Sequence, residues 1–117
     1  MNADMKQKWV EALRSGRYKQ GQQHLRQRDK QGMPLYCCLG VLGEVYDHHR
    51  WIGDSYGSAP GEEYYPSSDA VLPYEVVTAL GLYDLTDEGM DVQDHLANMN
   101  DNGQDFTEIA DYIEENL

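Results

Sequence analysis

The sequence predicts an α+β fold, a mostly helical single domain over residues 1–117 with one small antiparallel β-hairpin. Three observations predict it. Apolar residues recur at helical spacing in several separate stretches, most clearly at the C-terminus. A turn signature, Asp29-Lys30-Gln31-Gly32, divides two short segments that can pair. A chain of 117 residues with 40% hydrophobic content supports one small core and no second domain.

The first helix covers Met5 to Leu13, where Met5, Trp9, Ala12 and Leu13 share a face. Asp4 is the expected cap, with Gln7 three residues on, and Gly16 the stop. Leu25 stands almost alone among the polar residues of 17–30, so that stretch is exposed or lies at a sheet edge, and Met33–Tyr36 returns as the second strand. Cys38–Tyr46 reads as the most buried helix, with Leu39, Leu42 and Tyr46 on one stripe. Gly40 and Gly43 lie three apart on it; glycine inside a helix costs roughly 1 kcal/mol relative to alanine, a penalty that close approach of another backbone would offset. They predict a packing groove.

Residues 47–72 form a long loop, rich in glycine, proline and serine but interleaved with aromatics, with room for a short strand pair. Pro73 suits the first turn of a helix faced by Val76, Val77 and Leu80 and stopped by Gly81. Another helix covers Asp91–Met99. The last has Asp105 as cap, Glu108 to complete a capping box, and Phe106, Ile109, Ala110, Ile113 and Leu117 in one stripe.

The net charge is −12, which disfavours sequence-blind binding to nucleic acid by the whole molecule. The distribution is uneven. Residues 1–30 carry eight of the nine cations against three acids, +5, and residues 31–117 carry Arg50 against eighteen acids, −17. Such a chain is electrically two-ended along its length. No stretch reads as a membrane span or a secretion signal. The two cysteines are adjacent, Cys37 and Cys38, which excludes a disulfide framework and points to a reducing cytoplasm.

Several constellations carry chemistry. Cys37 and Cys38 open an apolar helix, where a thiolate nucleophile would gain from the helix terminus, and His24, His48, His49 and His95 are candidate bases. No flanking hydrolase signature accompanies them, and the plainer reading is that both thiols fill the core. Neither the cysteine pair nor His48-His49 has zinc-ligand spacing, so no metal is expected. Asn98 to Gly103 resembles a calcium loop only in its first half; Ile109 stands at the twelfth position, where a bidentate glutamate is required. It reads as a tight turn with Gly103 at positive φ. Arg14, Ser15, Arg17, Tyr18, Lys19 and Gln20, bracketed by Gly16 and Gly21, collect cations, a hydroxyl, an amide and an aromatic ring, a set that can cradle a small phosphorylated, nucleotide-like ligand. The plainer reading is a solvated basic turn that balances the acidic remainder. The acidic remainder is either a solubility face or a surface offering carboxylates where a basic partner expects phosphates, with Trp51, Tyr56, Glu62, Glu63, Tyr64, Tyr65 and Asp69 as the contact residues of the long loop.

Trp9-Val10-Glu11-Ala12-Leu13-Arg14-Ser15-Gly16-Arg17-Tyr18-Lys19-Gln20-Gly21 and Tyr36-Cys37-Cys38-Leu39-Gly40-Val41-Leu42 resemble a family of small proteins encoded by tailed bacteriophages and prophages. Leu72-Pro73, Leu80-Gly81-Leu82, Met99-Asn100-Asp101, Gly103, Phe106 and Glu108-Ile109-Ala110-Asp111 look like the rest of that pattern, which covers most of the chain outside 46–70. The chain departs from it at Gln23, where glycine is frequent, and at Gly43, where cysteine often stands; both departures weaken cysteine-centred chemistry. The resemblance implies an accessory protein in the cytoplasm of an infected bacterium. The expected function is therefore binding without catalysis: a counter-defence inhibitor whose acidic surface engages a basic host protein, such as a nucleic-acid-binding defence protein, with no cofactor and no contact with nucleic acid or membrane. Ligand sequestration by the Arg14–Gly21 segment is the alternative, and a cysteine-dependent enzyme the third.

Overall fold

In the computed structural model, residues 1–57, 67–82 and 91–117 are described, with the side chains of Ser67 and Ser68 left aside. The α+β expectation holds. Element order is α1 (Ala3–Arg14), β1 (Arg26–Arg28), β2 (Pro34–Tyr36), α2 (Cys38–Asp47), a short 3₁₀ turn (His48–Arg50), β3 (Trp51–Ile52), β4 (Ser55–Gly57), β5 (Ser67–Ser68), α3 (Tyr74–Leu80), α4 (Val92–Asp101) and α5 (Phe106–Asn116).

Capping residues set the helix boundaries. α1 begins two residues earlier than its apolar spacing implies, because the side chain of Asn2, not Asp4, accepts the Met5 N–H at 3.0 Å. α5 starts at the expected capping box, with Asp105 accepting from the Glu108 N–H and the Glu108 carboxylate accepting from the Asp105 N–H. Pro73 is the cap of α3 and not its first helical residue, and Gly81 ends that helix in the left-handed region at φ 70°. α4 extends two residues past Met99, so the tight turn comes after Asp101, with Gly103 at φ 94° as expected.

β1 and β2 pair antiparallel, Gln27 opposite Leu35. Their turn is tied by the Asp29 carboxylate, which accepts the N–H groups of Gln31 and Met33, both at 2.9 Å. A second sheet, order β3-β4-β5, occupies the region read as a long loop.

The core is one cluster centred on α2. Leu39, Val41 and Leu42 are fully buried there, among Trp9 and Leu13 of α1, Leu96 of α4 and Ile109 and Ile113 of α5. α1 packs against both α5 and α2, and α4 against both α2 and α5. Gly40 is the position where α2 meets the incoming chain: a Cβ there would stand 1.8 Å from the Leu25 carbonyl oxygen. Leu25, isolated in the sequence, is thereby fully buried. At Gly43 the neighbour is a side chain: a Cβ there would stand 2.8 Å from the Tyr56 ring. Gln93 of α4 ties down the segment before α3 by accepting the Leu72 N–H at 2.8 Å and donating to the Leu72 carbonyl at 3.3 Å.

Candidate functional site

Asn100, wholly buried in the last turn of α4, joins three segments distant in sequence. Its side-chain oxygen accepts the Cys38 N–H at 3.2 Å and the Gln20 amide at 2.9 Å, and its amide donates to the Gly21 carbonyl at 2.8 Å. The cap position of α2 is Cys37, whose side chain makes no capping hydrogen bond, so the first turn of α2 takes its side-chain acceptor from α4. The neighbouring Asp101 carboxylate accepts the Gln23 N–H at 2.8 Å and holds that residue at φ 71°, a backbone region that glycine enters without penalty. The segment between α1 and β1 is thus pinned to the end of α4, and this fixes what faces solvent.

The basic segment does not converge as one cradle. Arg14 turns to α5, where its guanidinium donates to Asp111 at 2.6 Å and Glu114 at 2.8 Å, and hydrogen bonds to Glu114 and then Asp111 raise its pKa. The Ser15 hydroxyl donates back to the Ala12 carbonyl at 2.6 Å. Gln20 points inward, donating to Asn100 and, at 2.8 Å, to the Gln104 carbonyl. Those three turn away from the rest of the segment, Arg14 toward α5, Ser15 back to α1 and Gln20 inward to Asn100 and Gln104. Arg17, Tyr18 and Lys19 stay together and line a groove of about 310 Å³ with Met33, Pro34 and Tyr36 of the hairpin, residues the basic motif alone does not indicate. The electrical division of the chain is also altered in space. Basic α1 lies on acidic α5, so part of the charge difference is neutralised within the fold.

An aromatic series runs inward from that groove. Tyr18 meets Tyr36 edge-on at 5.4 Å, Tyr36 lies 6.3 Å from Trp51, and Trp51 meets Tyr56 edge-on at 5.0 Å. The Arg26 guanidinium sits 4.3 Å from the Trp51 ring, whose N–H donates to Glu44 at 2.7 Å. Of the predicted partner contacts, Trp51 is half-buried and Asp69 exposed. Tyr56 is a correction: its ring is fully buried, with the hydroxyl 2.8 Å from the Gly43 carbonyl and 2.9 Å from that of Asp47. It is core, and burial pushes its hydroxyl well above the usual tyrosine range. Glu62, Glu63, Tyr64 and Tyr65 lie outside the described residues.

A second groove, of about 450 Å³, runs between α4 and α5. Glu108, Asp111 and Glu115 bring three carboxylates to it, of which Asp111 is paired with Arg14; His95 and Tyr112 lie 5.0 Å apart between ring centroids, tilted by 37°, and Met99 adds apolar surface. Reading the C-terminal sequence for its apolar stripe passes over this face. The signal was present in the spacing of residues 108, 111, 112 and 115, which share one side of a helix.

Both thiols are core. Cys37 is 3% exposed and Cys38 wholly buried. Burial pushes the Cys37 thiol up to about 11 and that of Cys38 well above its ordinary value. A thiolate nucleophile needs the opposite shift and access to solvent. Among the described residues no group of three His, Cys, Asp or Glu side chains is placed to hold a metal ion, and no helix is long and apolar enough to cross a membrane.

A family described as "Domain of unknown function (DUF8296)" matches residues 1–117, and the chain belongs to it. No curated protein and no solved structure matches the chain.

Proposed function

We propose that this member of the DUF8296 family acts by binding a basic protein through its acidic surface. The observation that carries the reading is the groove between α4 and α5, where Glu108 and Glu115, with Asp111 already paired to Arg14, stand beside the adjacent, tilted rings of His95 and Tyr112. Carboxylates around an aromatic floor suit lysine and arginine side chains: the acids attract the charge and the ring face accepts the cation and its aliphatic stem. The acids are borne on a capped helix packed into the core, so the charge pattern is held in place and not spread over a floppy tail. Similarity of the sequence motifs to phage and prophage proteins favours a partner in a bacterial host, and the protein is then a counter-defence inhibitor that occupies the surface a host protein uses for nucleic acid. Burial of both thiols favours binding over cysteine chemistry.

The test is capture of basic proteins from host lysate over a salt series. Wild type should retain a basic protein that salt releases, because exposed charges act over about one Debye length, roughly 10 Å at 0.1 M. Glu115→Lys combined with Glu108→Gln, which keeps the cap of α5, should lose that protein at low salt. Equal capture by wild type and variant overturns the reading.

A further inference from the structure

The groove lined by Arg17, Tyr18, Lys19, Met33, Pro34 and Tyr36 shares no lining residue with the α4–α5 groove, and the functional proposal makes no use of it. Its walls are apolar: two tyrosine rings set edge to face, a proline, and Met33, which is 59% exposed and one of two large hydrophobic residues so exposed among those described. Its rim is cationic. Arg17 lies 5.9 Å from the Tyr18 ring, and no described carboxylate is within ion-pair distance of it. The Lys19 side chain is 71% exposed and reaches Asp29 at 3.6 Å. Asp29 offsets part of that lysine's charge without enclosing it. Its carboxylate is 17% exposed and already accepts the N–H groups of Gln31 and Met33, which hold its pKa below the usual range; it steadies the ammonium beside the groove and leaves other N–H donors free.

We propose that this groove binds a free nucleoside 5′-monophosphate, the base lying against Tyr18, Met33 and Pro34 and the phosphate meeting Arg17 and Lys19. Three features select that ligand. An aromatic and methionine-lined wall accepts any planar ring by stacking and dispersion. Two cations among its lining residues suit a single phosphate dianion, with the arginine fork supplying paired donors. A volume of about 310 Å³ falls at the small end of ordinary ligand pockets, roughly 300–1,000 Å³, which leaves room for one nucleotide and not for a chain of them. A nucleic-acid strand is disfavoured by the net charge of −12, since each further phosphate would approach an acidic molecule.

The experiment titrates the full chain with AMP, CMP, GMP and UMP by calorimetry, with inorganic phosphate, the free nucleosides and a thymidine oligonucleotide as comparisons. The Met33 methyl resonance reports location. At least one monophosphate should saturate at one per chain and shift that methyl. Arg17→Gln with Lys19→Gln, both exposed, should weaken it about tenfold or more, as should Tyr18→Leu once circular dichroism shows that variant folded. Arg17→Lys should restore part of the affinity. The proposal is overturned if no monophosphate saturates, if the double variant binds like wild type, if inorganic phosphate binds equally well, or if the oligonucleotide binds more tightly than every monophosphate. None of these results bears on capture of a basic protein by the α4–α5 face.

Discussion

The side-chain oxygen of Asn100 accepts the N–H of Cys38 at 3.2 Å, so the central helix is capped by a residue 62 positions further along the chain. The same side chain holds Gln20 and Gly21, which makes one buried amide the junction of α2, α4 and the segment leading to the hairpin. Its polar atoms are matched: among the described residues no buried side-chain nitrogen or oxygen lacks a partner.

Asn100→Leu should therefore be costly. It leaves the Cys38 N–H and the Gly21 carbonyl buried without partners, each worth roughly 1–3 kcal/mol. Urea unfolding should show a loss larger than that of an ordinary exposed substitution. A variant within about 0.5 kcal/mol of wild type would remove Asn100 from its place as the junction.

Two backbone positions should respond in opposite directions. Gly40→Ala forces a methyl group to 1.8 Å from the Leu25 carbonyl oxygen, a backbone atom that cannot swing aside, and should cost about 3 kcal/mol or more or prevent folding. Gln23→Gly relieves an exposed residue at φ 71° and should raise stability by up to about 1 kcal/mol, the left-handed penalty less the extra chain entropy of glycine. Thermal unfolding of the two variants checks both signs.

The thiols should make stability fall in alkali. Cys37 has its pKa raised from 9.0 to about 11 by burial, so folding favours the neutral form. That contribution is complete below about pH 9, and it is lost as pH rises through 9 to 11, an effect on the order of a few kcal/mol from this residue. Chemical unfolding at pH 7.5 and pH 10 should show the decline, and Cys37→Ala with Cys38→Ala should flatten it. In the native protein at pH 8 both thiols should react with a disulfide reagent only slowly, faster as urea is added.

Leu42 and Ile113 are fully buried on different helices of the one core. Replacing either by alanine should cost about 2–5 kcal/mol, measured by calorimetry. An unchanged melting temperature in both would contradict their inward placement.

Much of this fold could be read from residue order, because its determinants act over a few residues. Asp105 and Glu108 specify the start of α5, Gly81 ends α3, and Asp29 with Gly32 shapes the hairpin turn. The glycines of α2 were legible as a groove, since helical glycine needs compensation. The candidate sites were less legible. Arg14, Arg17 and Lys19 look equivalent in sequence, and only the docking of α1 on α5 assigns Arg14 to Asp111 and Glu114 while leaving Arg17 open. Tyr56 reads as one loop aromatic among several until Gly43 opens a place for its ring.

What the sequence determined by itself was local: where helices start and stop, which face of each is apolar, and where a turn takes positive φ. These follow from hydrogen bonds and steric limits between residues a few positions apart. Tertiary structure alone decided which polar groups were consumed inside the molecule. Asn100 became a helix cap, Gln20 and Arg14 were withdrawn from the basic segment, and the hairpin supplied Met33 and Tyr36 as the wall beside Tyr18. The physical reason for Asn100 and Gln20 is that desolvation requires buried polar groups to find partners, which lie wherever chain packing brings them, whereas Arg14 stays at the surface and is drawn to the carboxylates of α5.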